Sequence, residues 1–362
     1  MSKFTQQDKL FMQRALDLAK KGAGKVAPNP MVGAVFVKNG KVIAEGYHQY
    51  YGGKHAEVNA LMKMTNSQIH GGTLYVTLEP CSHFGKTPPC TNFLISKGVK
   101  HIVVATRDPN PLVAGDGIKQ LKSEGIKVQE GLLEGESQRL NIQFIKNIMK
   151  SMPLLSIKFG LTLDGKISTL KRESGYITNE ASRKRVHEMR TKFDAVLTTS
   201  DTVLIDNPHL GVRLVKGRDP LRIVIDSKLK TNTTAKVYRD KNVIVATTTG
   251  SSLQKRKEFE RKGIQLLIYK GSKVPLKTLM KDLYKRKVYS IMTECGSQLV
   301  TSLLKLQLCD EVALFFAPKI LGLGIPWVQN LGIQNLSKAL KLDNVQTERF
   351  EDDILISGRI VY

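Results

Sequence analysis

One histidine and two cysteines constrain this chain more than any other feature. Glu57 lies two residues after His55, and Cys81 and Cys90 follow downstream, each directly after a proline. An imidazole and two thiolates make three ligands of a tetrahedral zinc ion, and the fourth position stays open for water. We therefore predict a fold that brings these three distant residues together around one Zn2+ per chain: His55, Cys81 and Cys90.

The residues around the three ligands predict the secondary-structure elements that carry them. Leu74, Val76 and Leu78 alternate with other side chains, which predicts a strand that ends at the site. Apolar residues at helical spacing follow His55. This spacing predicts that His55 and Glu57 lie in the first turn of a helix, where both side chains can face one cavity.

Glu57 is predicted to be catalytic and not a ligand. Zinc lowers the pKa of a bound water to near neutrality, and a carboxylate beside it can carry the proton. Zinc nucleobase deaminases combine a His/Cys/Cys site with such a glutamate. Their general pattern has two residues between the cysteines, whereas eight separate Cys81 from Cys90 here. The competing interpretation is a pair of buried cysteines near a surface histidine, and the order His-x-Glu then Pro-Cys favours zinc.

Length and composition limit the class of protein and its cellular compartment. Its 362 residues are enough for two domains, and no apolar run is long enough for a membrane helix. The amphipathic start of the chain is not typical of a signal peptide. Of four cysteines, two are assigned to zinc, and Cys295 and Cys309 make no disulfide framework, so we expect a cytoplasmic protein.

The net charge of +24 could indicate a nucleic-acid surface. However, the lysines and arginines are spread along the chain, and the densest runs fall on segments with helical spacing that are typical of solvated faces. We expect a basic surface that attracts phosphorylated small-molecule substrates, with no nucleic-acid and no membrane partner.

The order of elements predicts two α/β domains. Residues 1–150 show a helix, a hairpin that turns at Asn39-Gly40, and then strands alternating with helices, which predicts a sheet covered on both faces. A helical segment at 134–150 precedes Pro153 and marks the boundary. Residues 151–362 resume the alternation, with strands at 154–158, 195–199, 221–226, 242–246, 264–269, 288–293, 311–317 and 354–361.

The second domain lacks a complete G-x-G-x-x-G fingerprint. Instead, Glu294-Cys295-Gly296-Ser297 follows a β-rich segment and opens a helix. Backbone N–H groups at a helix N-terminus can hold phosphate, although most such junctions bind nothing.

Nearly the whole chain resembles the bifunctional riboflavin-biosynthesis deaminase/reductase family. The first half carries Ala27-Pro28-Asn29-Pro30, His55-Ala56-Glu57-Val58 and the segment from Thr77 to Cys90, whose wide cysteine spacing is that of the family. The second half carries Leu163-Asp164-Gly165-Lys166, Asp206-Asn207-Pro208 and Ile223 to Ser227. The resemblance implies a cytidine-deaminase-like α/β/α domain followed by a dihydrofolate-reductase-like α/β domain.

The resemblance also implies two successive reactions. The first domain would hydrolyse the amine of 2,5-diamino-6-(5-phosphoribosylamino)pyrimidin-4-one. The second would use NADPH to reduce the ribosyl group to ribityl. We expect a homo-oligomer formed through this domain.

Matching positions imply the residues that contact ligands. In the deaminase domain they imply substrate contacts at Asn29, His48, His83 and Lys86. In the reductase domain they imply dinucleotide contacts at Gly160, Tyr176, Thr202, Asp206, Ser227, Gly296, Ser297, Gln298, Leu299, Val300, Thr301 and Ser302. They imply substrate contacts at Ser174, Arg190, Leu210, Arg213 and Glu294. Lys158 is a further candidate substrate residue that would polarise the ribose end, and a strand-edge lysine is the competing interpretation. Tyr176 stands where the family commonly has tryptophan.

Two other function classes stay open on the sequence. A tRNA- or DNA-editing deaminase with a second domain that docks the polynucleotide would suit the positive charge. A binding or regulatory protein with a decayed site is the other, but His55, Glu57, Cys81 and Cys90 are all present.

Overall fold

The computed structural model describes residues 4–111, 113–172 and 175–362. The chain forms two compact units, Met1–Ser151 and Met152–Tyr362. Within the described residues, no helix is both long enough and apolar enough to cross a membrane.

The first unit contains a five-stranded sheet with the strand order β2-β1-β3-β4-β5. The β1–β2 hairpin is antiparallel, β1 pairs antiparallel with β3, and β3, β4 and β5 are parallel. The elements are α1 (Gln6–Lys20), β1 (Gly33–Lys38), β2 (Lys41–Tyr47), α2 (Ala56–Leu61), α3 (Asn66–Ile69), β3 (Thr73–Leu78), α4 (Cys90–Ser96), β4 (His101–Thr106), α5 (Asp116–Ser123), β5 (Lys127–Glu130), α6 (Glu134–Leu140) and α7 (Ile142–Lys150).

Helices cover both faces of this sheet, as the alternation predicts. Phe36 and Leu74 pack with residues of α2, α4 and α5 on one face. Val35 and Tyr75 pack with α1 on the other face. The hairpin turns where the sequence predicts, because Asn39 and Gly40 both adopt the positive φ that a tight two-residue turn requires.

The predicted helical segment 134–150 is two helices and not one. The break falls at Asn141, which lies between α6 and α7 and is buried. Its side chain accepts from the Met31 N–H at 2.8 Å and donates to the Met31 carbonyl at 2.9 Å. This tertiary pairing with a distant backbone outweighs helix continuity, and helical spacing alone could not reveal it.

The second unit contains a nine-stranded sheet with the order β11-β10-β9-β8-β12-β6-β13-β16-β15. Neighbours from β11 to β13 are parallel, and β16 and β15 complete the edge antiparallel. The elements are β6 (Leu154–Thr162), β7 (Lys166–Ser168), α8 (Glu180–Lys192), β8 (Ala195–Thr199), α9 (Ser200–Asp206), β9 (Leu221–Ile225), β10 (Val243–Thr248), α10 (Leu253–Arg261), β11 (Gln265–Tyr269), α11 (Leu276–Lys285), β12 (Ser290–Thr293), α12 (Ser297–Lys305), β13 (Glu311–Ala317), β14 (Ile325–Pro326), β15 (Lys341–Phe350) and β16 (Asp353–Val361).

The central strands of this sheet are apolar on both sides, which is typical of a parallel sheet between two helical layers. Leu197 and Ile291 pack with residues of α11 and α12. Val196 and Met292, their chain neighbours, pack with residues of α8 and α10 on the opposite face.

The strand β15 is absent from the sequence prediction. All its residues from Lys341 to Arg349 are exposed, so no face of the strand carries an apolar period. It is defined by antiparallel pairing with β16. That pairing forms a hairpin with the next strand, with Phe350 opposite Asp353, and the side-chain pattern of β15 does not encode it.

Candidate active sites

The three predicted zinc ligands meet at the carboxyl end of β3. His55 immediately precedes α2 with an extended backbone, Cys81 follows β3, and Cys90 is the first residue of α4. His55 Nδ1 lies 3.2 Å from Cys90 Sγ and 3.5 Å from Cys81 Sγ. Their ligand atoms all lie within 4.8 Å of one another, which is the spacing of donors around a single metal ion.

The chemistry of this donor set fits zinc. A hydrogen bond from Cys90, together with His55, lowers the pKa of the Cys81 thiol and favours its thiolate. Cys90 donates that hydrogen bond to Cys81 and is buried, so its pKa is raised and it keeps its proton. A bound dication would favour both thiolates and take both sulfurs as ligands.

Glu57 belongs to the same cavity and does not join the ligand cluster. It is the second residue of α2, and its side chain is 3% exposed. Burial, followed by the nearby Cys81 charge, raises its pKa to about 7. A carboxyl group with such a pKa can both accept and release a proton near neutral pH.

The cavity beside these groups has a volume of about 280 Å³. The four substrate contacts predicted for this unit all line it: Asn29, His48, His83 and Lys86. His48 is buried, and its Nδ1 lies 3.1 Å from the Lys54 carbonyl, so this nitrogen carries the proton. Its Nε2 then accepts from the Asn29 amide at 3.2 Å and fixes the orientation of that amide.

Lys86 lies in the loop between the two cysteine ligands. Its ammonium lies 4.0 Å from the centre of the Tyr51 ring, a cation–π contact at the wall of the cavity. The charge is exposed, so an anionic group of a ligand can reach it.

Sequence reasoning missed three further residues of this site. Thr87 Oγ1 lies 3.2 Å from His55 Nε2 and so orients the ligand histidine. Asp108 and Asn110 line the cavity from the loop that follows β4. Asp108 and Asn110 belong to an Asp-Pro-Asn-Pro run after a buried strand, and polar residues in such a loop could have indicated a site. No comparable pattern in the sequence indicates the role of Thr87.

In the second unit, many predicted contacts follow the carboxyl ends of three adjacent parallel strands. Thr202 and Asp206 lie in α9 after β8, Ser227 follows β9, and Glu294 with Gly296 follows β12. Crevices at the carboxyl ends of parallel strands are the usual ligand sites of α/β sheets.

Three predicted substrate residues form one buried charge cluster. Arg190 Nε and Nη2 donate to the two carboxylate oxygens of Glu294 at 2.7 and 2.9 Å. Lys158 Nζ lies 3.6 Å from the same carboxylate. Although burial opposes ionisation, Arg190 and Lys158 lower the pKa of Glu294 to about 2. Burial lowers the pKa of Lys158.

His187 connects this cluster to Arg213, and sequence reasoning missed it. Its Nδ1 accepts from the Arg213 backbone N–H at 2.9 Å, and its Nε2 lies 3.5 Å from Arg190 Nη1. Burial and the neighbouring arginines lower the pKa of His187 to about 4, so the ring is neutral at physiological pH. Leu210, also predicted as a contact, is buried with a positive φ.

The residues predicted for the dinucleotide are spread over several elements. Gly160 faces Thr178, since a Cβ at Gly160 would lie 3.1 Å from the Thr178 methyl group. The Tyr176 ring is 75% exposed, and the Arg183 guanidinium stacks on it at 4.4 Å. The Ser227 carbonyl accepts from Thr247 and Thr248.

The predicted contact segment from Gly296 to Ser302 is helical after its first residue. Leu299 and Val300 belong to the core of the sheet, and Ser297 and Thr301 are also buried. Gln298 and Ser302 are exposed, and Gly296 is partly exposed with open space where a Cβ would be. A ligand would therefore meet the start and the exposed side of α12. Ser174, the remaining predicted contact, lies outside the described residues.

In comparisons with known proteins, two family models match the chain, one in the region of each candidate site. Residues 5–106 match the model of the cytidine and deoxycytidylate deaminase zinc-binding region. Residues 153–356 match the model of the RibD C-terminal domain.

Whole-chain relatives cover both regions. The chain is 42% identical to the riboflavin biosynthesis protein RibD of Aquifex aeolicus, over 96% of this chain and 97% of the relative. A solved structure of Acinetobacter baumannii RibD is similar with a TM-score of 0.84 and 35% identity, covering 98% of this chain and 99% of that one. The diaminohydroxyphosphoribosylaminopyrimidine deaminase/5-amino-6-(5-phosphoribosylamino)uracil reductase of Thermotoga maritima gives 0.81 and 38%, with coverage of 98% and 99%.

Proposed function

The chain belongs to the RibD family of bifunctional riboflavin-biosynthesis enzymes, and on that premise we propose which reaction each of its two units catalyses. The first unit, residues 1–150, is the zinc-dependent hydrolytic deaminase, acting on the amine of 2,5-diamino-6-(5-phosphoribosylamino)pyrimidin-4(3H)-one. The second, residues 151–362, is the NADPH-dependent reductase, which converts the ribosyl side chain to ribityl. The observation that carries the proposal is Glu57 in one cavity with the cluster of His55, Cys81 and Cys90.

In the deaminase, His55, Cys81 and Cys90 would hold one zinc ion, which when bound would make a water molecule nucleophilic at neutral pH. Glu57 would take the proton from that water and deliver it to the departing ammonia. Its buried carboxyl, with a pKa of about 7, suits both transfers. Asn29, held by His48, would orient the pyrimidine, and His83 and Lys86 at the mouth would meet the polar and phosphate groups.

In the reductase, NADPH would supply a hydride to the ribose carbon. Lys158, held at 3.6 Å from Glu294, would polarise the ribose end of the substrate and supply a proton. The Arg190 guanidinium already donates two hydrogen bonds to Glu294. The exposed guanidinium of Arg213 is therefore better placed than that of Arg190 to bind the substrate phosphate. Ser174 and Leu210 complete the proposed substrate contacts.

We propose that the dinucleotide lies across the carboxyl ends of β8, β9 and β12. Gly160, Tyr176, Thr202, Asp206, Ser227 and the 296–302 segment would contact it. Partly exposed Gly296, at the start of α12, allows backbone N–H groups to approach a phosphate.

A second copy of the chain is proposed to pair at the edge strand β15. An exposed edge strand offers unpaired backbone groups to another strand. Val345 on this strand is 53% exposed, and Leu336 just before it is 90% exposed. Sedimentation of Val345→Lys should show a smaller species than the parent, and an unchanged oligomer would place the interface elsewhere.

The positive charge is proposed to serve phosphorylated small molecules. Family membership does not favour the editing-deaminase alternative. Non-specific contact with RNA predicts dissociation constants of only about 10⁻⁴–10⁻⁶ M at physiological salt. Sub-micromolar tRNA binding under those conditions would bring the alternative back. The reduced thiolates that zinc requires fit a reducing cytoplasm.

The direct test supplies purified protein with the diamino substrate and NADPH. Ammonia release should precede NADPH oxidation, and the already deaminated compound should support NADPH oxidation alone. Zinc should be present at one ion per chain. Deamination without zinc, or NADPH oxidation without any pyrimidine, would contradict the assignment.

A further inference from the structure

We propose that Glu79 is a positioning residue of the deaminase, which holds the loop that carries Asp108 and Asn110 in the wall of the catalytic cavity. The inference builds on the deaminase function proposed above. Glu79 touches neither the zinc ligand atoms nor the proton carrier in any hydrogen bond among the described residues, so its effect on catalysis would pass through the loop.

The Glu79 carboxylate is buried and accepts three backbone hydrogen bonds from one segment. Its Oε2 accepts from the N–H groups of Asp108 at 3.1 Å and Gly115 at 3.0 Å. Its Oε1 accepts from the N–H of Ile118 at 3.2 Å. Glu79 itself is 5% exposed and directly follows β3, whose pairing with β4 fixes its place. The carboxylate therefore binds both ends of the loop at once.

No ion pair to Glu79 occurs in the described part of the chain. A buried carboxylate without a cation must be compensated by hydrogen bonds. Gly115 and Ile118 belong to the first turn of α5, so the positive end of that helix supplies part of the compensation. The segment and the carboxylate therefore stabilise each other through these three hydrogen bonds.

The loop that Glu79 holds belongs to the cavity. Asp108 and Asn110 both line it, and Asp108 Oδ1 accepts from the Asn110 N–H at 2.8 Å, which fixes one relative to the other. The start of α5 also lies directly against the metal-bearing strand end. A Cβ at Gly117 would lie only 2.0 Å from the Pro80 carbonyl oxygen. Glu79 thus joins the segment that ends in Cys81 to the wall that a pyrimidine would contact.

Glu79→Gln is the sharpest test, because glutamine keeps the length but replaces one acceptor oxygen with an N–H₂ group that faces backbone donors. Loop displacement on the ångström scale can cost on the order of 10²-fold in rate. We expect deamination kcat/KM to fall about 10- to 100-fold, mainly through KM, with zinc content and NADPH oxidation on the deaminated substrate unchanged. Glu124→Gln, the same chemical change at an exposed position in the same unit, should behave as the parent.

A double-mutant cycle with Asn110→Ala separates positioning from general destabilisation. If Glu79 acts by placing the loop, Glu79→Gln should cost much less in the Asn110→Ala background than in the parent. Glu79→Asp keeps the charge with a shorter reach, so its activity should lie between parent and Gln, and it provides the measurement if Gln does not fold.

Three results would overturn the proposal. Deamination by Glu79→Gln equal to that of the parent would show that the loop does not need the carboxylate. Loss of zinc would place Glu79 in support of Cys81. Additive effects with Asn110→Ala, or no effect of Asn110→Ala alone, would show that Glu79 does not act through this wall. Deamination by the parent protein tests the proposed function itself, and its outcome does not depend on these three results.

Discussion

The deaminase cavity and the reductase cluster differ in the sequence separation of their residues. They also differ in whether their charged and polar groups are already paired within the protein before a ligand binds. His55 and Cys90 are 35 residues apart, and their donor atoms converge to the spacing of ligands around one metal ion. Arg190 and Glu294 are 104 residues apart and already form a complete bidentate ion pair. The first site is shaped to receive a metal, whereas the second is held together by its own charges.

This difference has a consequence for mutation. Removing a group from the deaminase cavity should affect chemistry or metal and leave the fold intact, because Glu57 is not the partner of a buried ion pair. Removing a charge from the reductase cluster should affect stability and activity together, because the remaining partners become buried and uncompensated.

The largest effect is expected for Glu57→Gln. Glutamine keeps the volume but cannot carry the proton, and general acid–base catalysis contributes roughly 10²–10⁴-fold. Deamination should fall by at least that factor, with zinc retained and NADPH oxidation on the deaminated substrate close to the parent rate. Both assays and zinc analysis on one preparation check this. Deamination within a few-fold of the parent would remove Glu57 from the mechanism, and a parallel collapse of reduction would show that the sites are not independent.

Glu294→Gln should destabilise the reductase unit as well as inactivate it. Removing one partner of a buried ion pair costs about 3–5 kcal/mol in the free energy of unfolding. The folded pKa of Glu294 is about 2, below its unfolded value, so its stabilisation is complete above about pH 4.5 and is lost as pH falls toward 2. Thermal unfolding followed by circular dichroism should therefore separate parent from variant at pH 7 and less so near pH 3. An equal gap at both pH values would contradict the ionised state of Glu294.

Thr87→Val should weaken zinc binding without touching a ligand. Partners that orient a ligand histidine typically contribute 10- to 100-fold in metal affinity, and the Thr87 hydroxyl lies 3.2 Å from His55 Nε2. Competition with a chelator measures the affinity. Thr73→Val makes the same change at the start of β3, away from the ligands, and should bind zinc as the parent does. If both variants match the parent, Thr87 has no part in orienting His55.

The smallest effect is expected at the dinucleotide 2′-phosphate. Ser227 and Lys228 follow Asp226 in the loop after β9, where a phosphate group could be received. A hydrogen bond to a charged group contributes about 1.5–3 kcal/mol, so Lys228→Ala should reduce the preference for NADPH over NADH by roughly tenfold. The ratio of kcat/KM values measures this, and Lys230→Ala is the matched control. Equal use of both dinucleotides by the parent would rule out this assignment.

The sequence by itself determined the parts of the deaminase site that short motifs carry. His55, Glu57, Cys81 and Cys90 have few chemical alternatives. Local patterns placed His55 and Glu57 at a helix start and the site at the end of a strand, where the structure has them. The Asn39-Gly40 hairpin was likewise predictable, because turn conformation is a local property of those two residues. Both α/β units followed from strands and helices in alternation.

Only the tertiary structure decided the rest. The break at Asn141, the contact of Thr87 with His55 and the three bonds to Glu79 all join groups distant in sequence. The same holds for His187, whose neutral ring is fixed by the backbone of Arg213. Side-chain periodicity reports which face of an element is apolar, but not which backbone group a buried polar atom will meet. That choice is made when the layers pack, because each buried polar group must find whatever partner the packing brings within reach.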